Sequence, residues 1–148
     1  MISIMTGSEA SIRDATISDR DAVWLLVRDF AMSSTPDRAT FDESFTALHA
    51  EPNMLLCVAE SGEVVIGYLV ATSHLTLFAN GPVCWIEEVM VSPEHRRAGV
   101  GAALMNAAER WAETLGAAYV SLATRRAGDF YRALGYEDSA VFFKKSPG

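Results

Sequence analysis

Val83-Cys84-Trp85-Ile86-Glu87-Glu88-Val89-Met90-Val91-Ser92-Pro93-Glu94-His95-Arg96-Arg97-Ala98-Gly99-Val100-Gly101 is the stretch on which the fold turns. Its first part, Val83 to Val91, is rich in β-branched and aromatic residues and ends at Ser92-Pro93, which predicts a long strand. After Gly99 the apolar spacing changes. Val100, Leu104, Ala107, Ala108, Trp111 and Leu115 share one side of a helix running from about Gly99 to Leu115, and Gly116 stands where a helix stop belongs. Ala118 to Ala123 then predicts a second strand. A strand–helix–strand unit places its two strands parallel, joined by a right-handed crossover.

Working outward toward the N-terminus, Met54–Glu60 and Val64–Ser73 read as two antiparallel strands joined at Ser61-Gly62. A loop, Leu75 to Pro82, leads to the strand quoted above. Before the hairpin, Ala10 to Ala15 predicts a short strand. Ser18 with Asp21 opens one helix, with Val23, Leu26, Val27 and Phe30 on a face. A polar break, Ser33 to Arg38, follows. Thr40 with Glu43 opens a second helix, with Phe41, Phe45 and Leu48 on its apolar face. Toward the C-terminus, Ala127 to Leu134 reads as a short helix and Val141 to Lys144 as a final strand. The order predicts an α/β (mixed α+β) chain around a mixed sheet. Residues 1–9 read as a loose leader and residues 10–148 as a single domain.

The 148 residues are half hydrophobic and carry a formal net charge of −7. Affinity for nucleic acid comes largely from cationic surface, so such a chain is a poor nucleic-acid binder. Cys57 and Cys84 lie in apolar runs and read as buried reduced thiols, and no Cys or His falls at metal-ligand spacing, so no metal is expected. No segment reads as a membrane span or a secretory signal, so no membrane partner is expected and the cytoplasm is the default location.

The turn from Pro93 to Gly101 joins a buried strand to a helix start. There the first helical N–H groups have no intrahelical partner and the helix dipole favours an anion. A diphosphate fits such a site, with Arg96 and Arg97 adding charge-assisted hydrogen bonds. A dinucleotide fingerprint would need a third glycine where Leu104 stands, and a nucleoside triphosphate loop would need Gly-Lys-Ser/Thr, which is absent.

Arg96-Arg97-Ala98-Gly99-Val100-Gly101-Ala102, following Val91-Ser92-Pro93, resembles the Arg/Gln-x-x-Gly-x-Gly/Ala motif of the GNAT family of N-acetyltransferases. Phe130-Tyr131-Arg132-Ala133-Leu134-Gly135-Tyr136 resembles that family's second motif. The resemblance implies a central mixed, mostly antiparallel sheet with helices on both faces, its parallel strand pair splayed around acetyl-CoA as co-substrate. It implies a pyrophosphate on the amides near Gly99 to Ala102 and a pantetheine arm along the backbone of Met90 and Val91. The cofactor-binding set is therefore Met90, Val91, Arg96, Arg97, Ala98, Gly99, Val100, Gly101 and Ala102. Many relatives carry Asn where Thr124 stands, so no role is carried onto Thr124. Relatives are often dimers, which implies a homodimer that could pair through Ala140 to Phe143.

Acyl transfer to nitrogen needs a neutral amine and a proton for the departing thiolate. The resemblance nominates Tyr131 as general acid. Two carboxylates in an apolar strand are costly unless solvated, paired or functional. Alternation along a strand predicts that Glu87 and Glu88 point to opposite faces. In polyamine-type relatives an acidic pair at this place orients the amine or accepts its proton through water, so the resemblance implies Glu87 as the water-assisted base, with Glu88 the alternative. The expected activity is direct acetyl transfer from acetyl-CoA to a primary amine of a small molecule, with cationic molecules among the candidates. A non-catalytic acyl-CoA-binding regulator and an acetyltransferase for protein amines are the competing readings.

Overall fold

The computed structural model describes residues 4–5, 10–30 and 35–148. In chain order these form β1 (Ile4–Met5), β2 (Ala10–Asp14), α1 (Arg20–Phe30), α2 (Arg38–Ala50), β3 (Met54–Ser61), β4 (Val64–His74), β5 (Val83–Val91), α3 (Val100–Thr114), β6 (Tyr119–Leu122) and α4 (Gly128–Ala133). The strands form one six-stranded sheet in the order β1-β2-β3-β4-β5-β6. Neighbours are antiparallel except β5 and β6, which are parallel as the strand–helix–strand spacing requires. Ile4–Met5, inside the expected leader, pairs with Ser11 and Ile12. The rest of that leader and residues 33–34 of the polar break lie outside the described residues.

The capping residues of both early helices lie slightly before the expected Ser18 and Thr40. A short 3-10 turn at Ile17–Asp19 precedes α1. It is closed by Asp19, whose carboxylate accepts from the Thr16 N–H at 2.7 Å, so Thr16 and not Ser18 marks the entry. Asp37 rather than Thr40 caps α2, accepting from the Thr40 N–H and hydroxyl at 2.9 Å each. In both cases a carboxylate satisfies amides that lack an intrahelical acceptor.

The sheet separates two cores. On one face α3 covers Ile12, Leu55, Cys57, Leu69, Ala71 and Ile86 with Val100, Leu104, Met105 and Ala108, and Tyr131, Leu134 and Tyr136 pack against the same cluster. On the other face α1 and α2 contribute Val23, Leu26 and Phe45 over Leu56, Val58, Tyr68, Val70 and Met90. Leu104 is fully buried, so truncating it to Ala would cost about 2–5 kcal/mol.

The expected final strand at Val141–Lys144 does not form. That segment pairs with no strand, and Val141 and Phe143 are 76% and 87% exposed. Its β-forming composition is not matched by ladder pairing, although β6 ends the sheet with one side free among the described residues. Phe142 stacks on Trp85 instead, ring centres 6.3 Å apart. Phe78, on the loop after β4, is exposed.

Candidate active site

The parallel pair β5–β6 holds only from Val83↔Tyr119 to Ile86↔Leu122. Beyond Ile86, β5 runs on to Val91 with no strand on that side, which opens the sheet there. Ser92 donates to the Ile66 carbonyl at 2.7 Å on the β4 side. By the alternation of an antiparallel ladder, Met90 turns its main-chain groups toward β4, and Val89 and Val91 turn theirs into the opening. The Met90 carbonyl fits this, standing 2.8 Å from where a Cβ on Gly67 would be. In the opening, the Val91 carbonyl accepts from Arg96 Nε at 3.1 Å.

At the two glutamates the strand departs from simple alternation. Val70 pairs with Glu88 but Ala71 pairs with Ile86, so Glu87 is the extra residue of a β-bulge. Counting outward from Ile86 in the α3-side core and from Met90 in the other core, Glu87 and Glu88 both fall on the α1/α2 side. The expectation of opposite faces is thus overturned by one inserted residue. Each carboxylate has its own holder. Glu87 Oε1 accepts from Trp85 Nε1 at 2.6 Å, and Glu88 Oε1 accepts from the Tyr68 hydroxyl at 2.7 Å. Tyr68 is 1% exposed, and burial together with the adjacent carboxylate holds its phenol well above the usual value.

The turn between β5 and α3 is ordered by local bonds. Ser92 Oγ and His95 Nδ1 lie 2.9 Å apart, which ties His95 into the turn. Arg97 has φ 65° and Gly99 φ 82°, two left-handed residues just ahead of α3. Gly99 meets that geometry without a Cβ penalty, whereas for Arg97 it costs about 1–2 kcal/mol. The first bond of α3 runs from the Ala103 N–H to the Gly99 carbonyl at 3.0 Å, so the amides of Val100, Gly101 and Ala102 precede the helical ladder. Among the described residues Arg97 makes no ion pair.

α4 closes the site from the α3 face. A Cβ on Gly101 would come 3.2 Å from Phe130 Cζ, so the missing side chain is what lets α4 approach α3. Phe130 and Tyr136 each meet the Tyr131 ring edge-on, at 4.9 and 6.0 Å. The Tyr131 hydroxyl has no hydrogen-bond partner among the described residues, and burial raises its pKa above the usual phenol value. Tyr136, by contrast, donates to Glu109 Oε2 at 2.7 Å and belongs to the packing of α4 on α3. The Thr124 hydroxyl accepts from the Ala127 N–H at 3.1 Å, so it is engaged in the turn before α4.

Both cysteines are free and buried. Burial pushes the Cys57 thiol up to about 12 and raises that of Cys84, so neither supplies a thiolate at neutral pH. Of the cavities, a groove of about 690 Å³ lies at the far end of α3, beside Arg110, Trp111 and Thr114, away from the turn and the glutamates. A smaller one of about 230 Å³ contains Glu88. Tyr68 and the Val89 main chain escaped the sequence reading: a tyrosine in an apolar strand carries no signal beyond core, and which amides face outward depends on the register.

A sheet opened beside a helix N-terminus suits an extended ligand that carries an anion. The chain belongs to the Acetyltransferase (GNAT) family, which it matches over residues 21–136, and it is an acetyl-CoA-dependent N-acetyltransferase. It is 29% identical over 139 residues to the aminoalkylphosphonate N-acetyltransferase of Salmonella typhimurium, covering 91% of this chain and 90% of that one. It is 29% identical over 154 residues to an aminoglycoside N(6')-acetyltransferase of Acinetobacter haemolyticus, covering 97% and 98%. An aminoglycoside N-acetyltransferase solved in complex with CoA shares the fold at a TM-score of 0.83 and 20% identity, covering 98% of this chain and 99% of that one. The glucosamine-6-phosphate N-acetyltransferase of Arabidopsis thaliana shares it at a TM-score of 0.82 and 19% identity, covering 94% and 99%.

Proposed function

We propose that this enzyme acetylates a primary amine of a small molecule by direct transfer within the opening between β5 and β6. The observation that carries the reading is the unpaired β5 edge after Ile86 ahead of the leading amides of α3, with Tyr131 packed on the same face of the sheet as Val89 and Val91. The main-chain groups of Val89 and Val91 are placed to pair with the amides of a pantetheine arm. The amides of Val100, Gly101 and Ala102, with Arg96 and Arg97, suit a diphosphate. Arg96 would exchange its bond to the Val91 carbonyl for the phosphate. Acetyl-CoA brings an activated acyl group with a thiolate leaving group.

Glu88 or Glu87 takes a proton from the ammonium, directly or through water, so that the nitrogen attacks as a neutral amine. Tyr131 donates its phenolic proton to the departing thiolate, and the proton left on the new amide nitrogen passes to solvent. Burial keeps Tyr131 in the protonated form the step requires. Without a thiolate, neither cysteine suits a covalent route. Two buried free thiols accord with a cytoplasmic protein. The exposed Val141, Phe142 and Phe143 accord with a homodimer.

Release of free thiol from acetyl-CoA over a panel of small amines, with CoA binding measured separately by calorimetry, tests the reading. Amine-dependent thiol release supports it, and absence of both binding and turnover overturns it.

A further inference from the structure

The smaller cavity is a slot between α1, α2 and the sheet, of about 230 Å³. Val23, Val27, Phe41, Phe45 and Val70 line its length, and its polar groups are Asp37, Thr40, Ser44, Tyr68 and Glu88. Among the described residues no Lys, Arg or His lines it. Its charged groups are thus two carboxylates, and the rest of its wall is mostly aliphatic or aromatic. Glu88 lies on β5 next to Val89, whose main chain faces the cofactor opening, so one strand borders both the slot and the opening.

The placement of Glu88 is over-determined. The bulge at Glu87 turns it to the α1/α2 side, and the Tyr68 hydroxyl, itself buried in the sheet, donates to its Oε1 at 2.7 Å. A buried phenol loses water on folding and needs a partner, and here it spends its donor on a carboxylate whose other oxygen remains for a ligand. A hydrogen bond from a rigid donor fixes the direction in which that oxygen points.

Resting on the transferase reading above, the geometry points to this slot as the seat of the acceptor: a primary amine on an apolar chain or ring, lacking a negative group, whose ammonium meets Glu88, with Tyr68 as the positioning residue behind that carboxylate. The acidic polar set favours a cation and disfavours a phosphonate or carboxylate tail. The volume falls below the roughly 300–1,000 Å³ of pockets that hold drug-sized ligands, so an alkyl or arylalkyl amine fits where a whole aminoglycoside does not.

The test compares kcat/KM for hexylamine, phenethylamine, 2-aminoethylphosphonate and an aminoglycoside, with the CoA dissociation constant followed in parallel. The apolar amines should exceed the other two by tenfold or more. Ser44→Trp, an exposed position on the slot wall, should raise the KM for hexylamine while CoA binds as before. Tyr68→Phe should raise that KM about tenfold, the usual scale for a lost hydrogen bond to a charged group. It should have no further effect in a Glu88→Gln background, because the two residues act as one unit. CoA binding with best turnover on the phosphonate or the aminoglycoside overturns the slot assignment alone. So does unchanged amine KM in both Ser44→Trp and Tyr68→Phe. Loss of CoA binding and of all turnover in the unaltered protein overturns the transferase reading beneath it.

Discussion

Phe130 on α4 lies over the position that a side chain on Gly101 of α3 would occupy: a Cβ there would stand 3.2 Å from Phe130 Cζ and 3.6 Å from Cε1. The glycine turn and the second aromatic motif, 29 positions apart by their numbers, therefore meet as one packing unit, and Tyr131 takes its place from it. The two glycines of the turn consequently do different work. Gly99 supplies a left-handed φ of 82°, and nothing lies within 4 Å of its missing Cβ. Gly101 supplies room.

Gly99→Ala should thus act on the turn. It forces a side chain into the left-handed region at a cost of about 1–2 kcal/mol, and it disturbs the amides that follow. Calorimetry should show weaker CoA binding, by about tenfold. Gly101→Ala should act on α4. The helix gains about 0.5–1 kcal/mol from losing a glycine, offset by the contact with a ring that is only partly exposed and must shift a few tenths of an ångström. CoA affinity should hold within about threefold while kcat falls, because Tyr131 moves with Phe130. Equal loss of CoA affinity in both variants would refute the division of labour.

Tyr131→Phe removes one oxygen that bonds to no described residue, so the melting temperature should barely change. If the hydroxyl is the general acid, kcat should fall by roughly 10²–10⁴-fold while CoA binds as before. Its pKa lies above the ordinary phenol value of 10.0, raised by burial. The proton donor is therefore intact through neutral and mildly alkaline pH. Stopped turnover measurements up to about pH 9.5 should show no alkaline loss of kcat from this group, and any limb below that pH belongs to another residue.

The N-terminal edge offers a stability test separate from chemistry. Arg13 makes a two-point bond to Asp19 at 2.8 and 2.9 Å and a third bond to Glu60 at 2.8 Å. Hydrogen bonding from Arg13 holds the Asp19 carboxyl below its usual 3.8. A folded-state pKa below the unfolded one means stability that is present above the unfolded value and lost as pH falls through the folded one. Asp19→Asn should cost about 1.5–3 kcal/mol near neutral pH, the range for bonds to a charged group. The difference from the unaltered protein should shrink as pH drops below 4, read by urea unfolding across a pH series.

Strong periodicity explains why most elements were legible: β3, β4, β5 and α3 each carry a long apolar pattern, and β3, β5 and α3 have a glycine or proline stop. What stayed hidden depended on a partner strand. The bulge at Glu87 exists only in the register of β5 against β4, since nothing in Glu87-Glu88 itself announces an extra residue. Counting by two from the sequence therefore sent the carboxylates to opposite faces. Tyr68 was invisible for a like reason: its role arises from facing Glu88 across the sheet, at 20 positions' remove. Val141–Phe143 failed in the other direction, with strand-forming residues that pair with no strand among the described residues.

That tail gives the last prediction. Val141, Phe142 and Phe143 are 76%, 61% and 87% exposed, and Leu75, Leu77 and Phe78 on the loop after β4 are more than three-quarters exposed as well. We propose a second copy of the chain as the occupant of this exposed apolar surface. Sedimentation at micromolar concentration should return twice the chain mass, and Phe143→Asp should return the single mass. Phe142→Asp should do the same and also raise the KM for the amine. Phe142 stacks on Trp85, and Trp85 holds the Glu87 carboxylate through its indole N–H. Because no ring contact joins Phe143 to Trp85 among the described residues, comparing the two variants separates the effect of assembly from the effect on Glu87. An unaltered protein that sediments as a monomer would refute the dimer. Equal amine KM in the two variants would show that the Phe142–Trp85 stack does not reach the site.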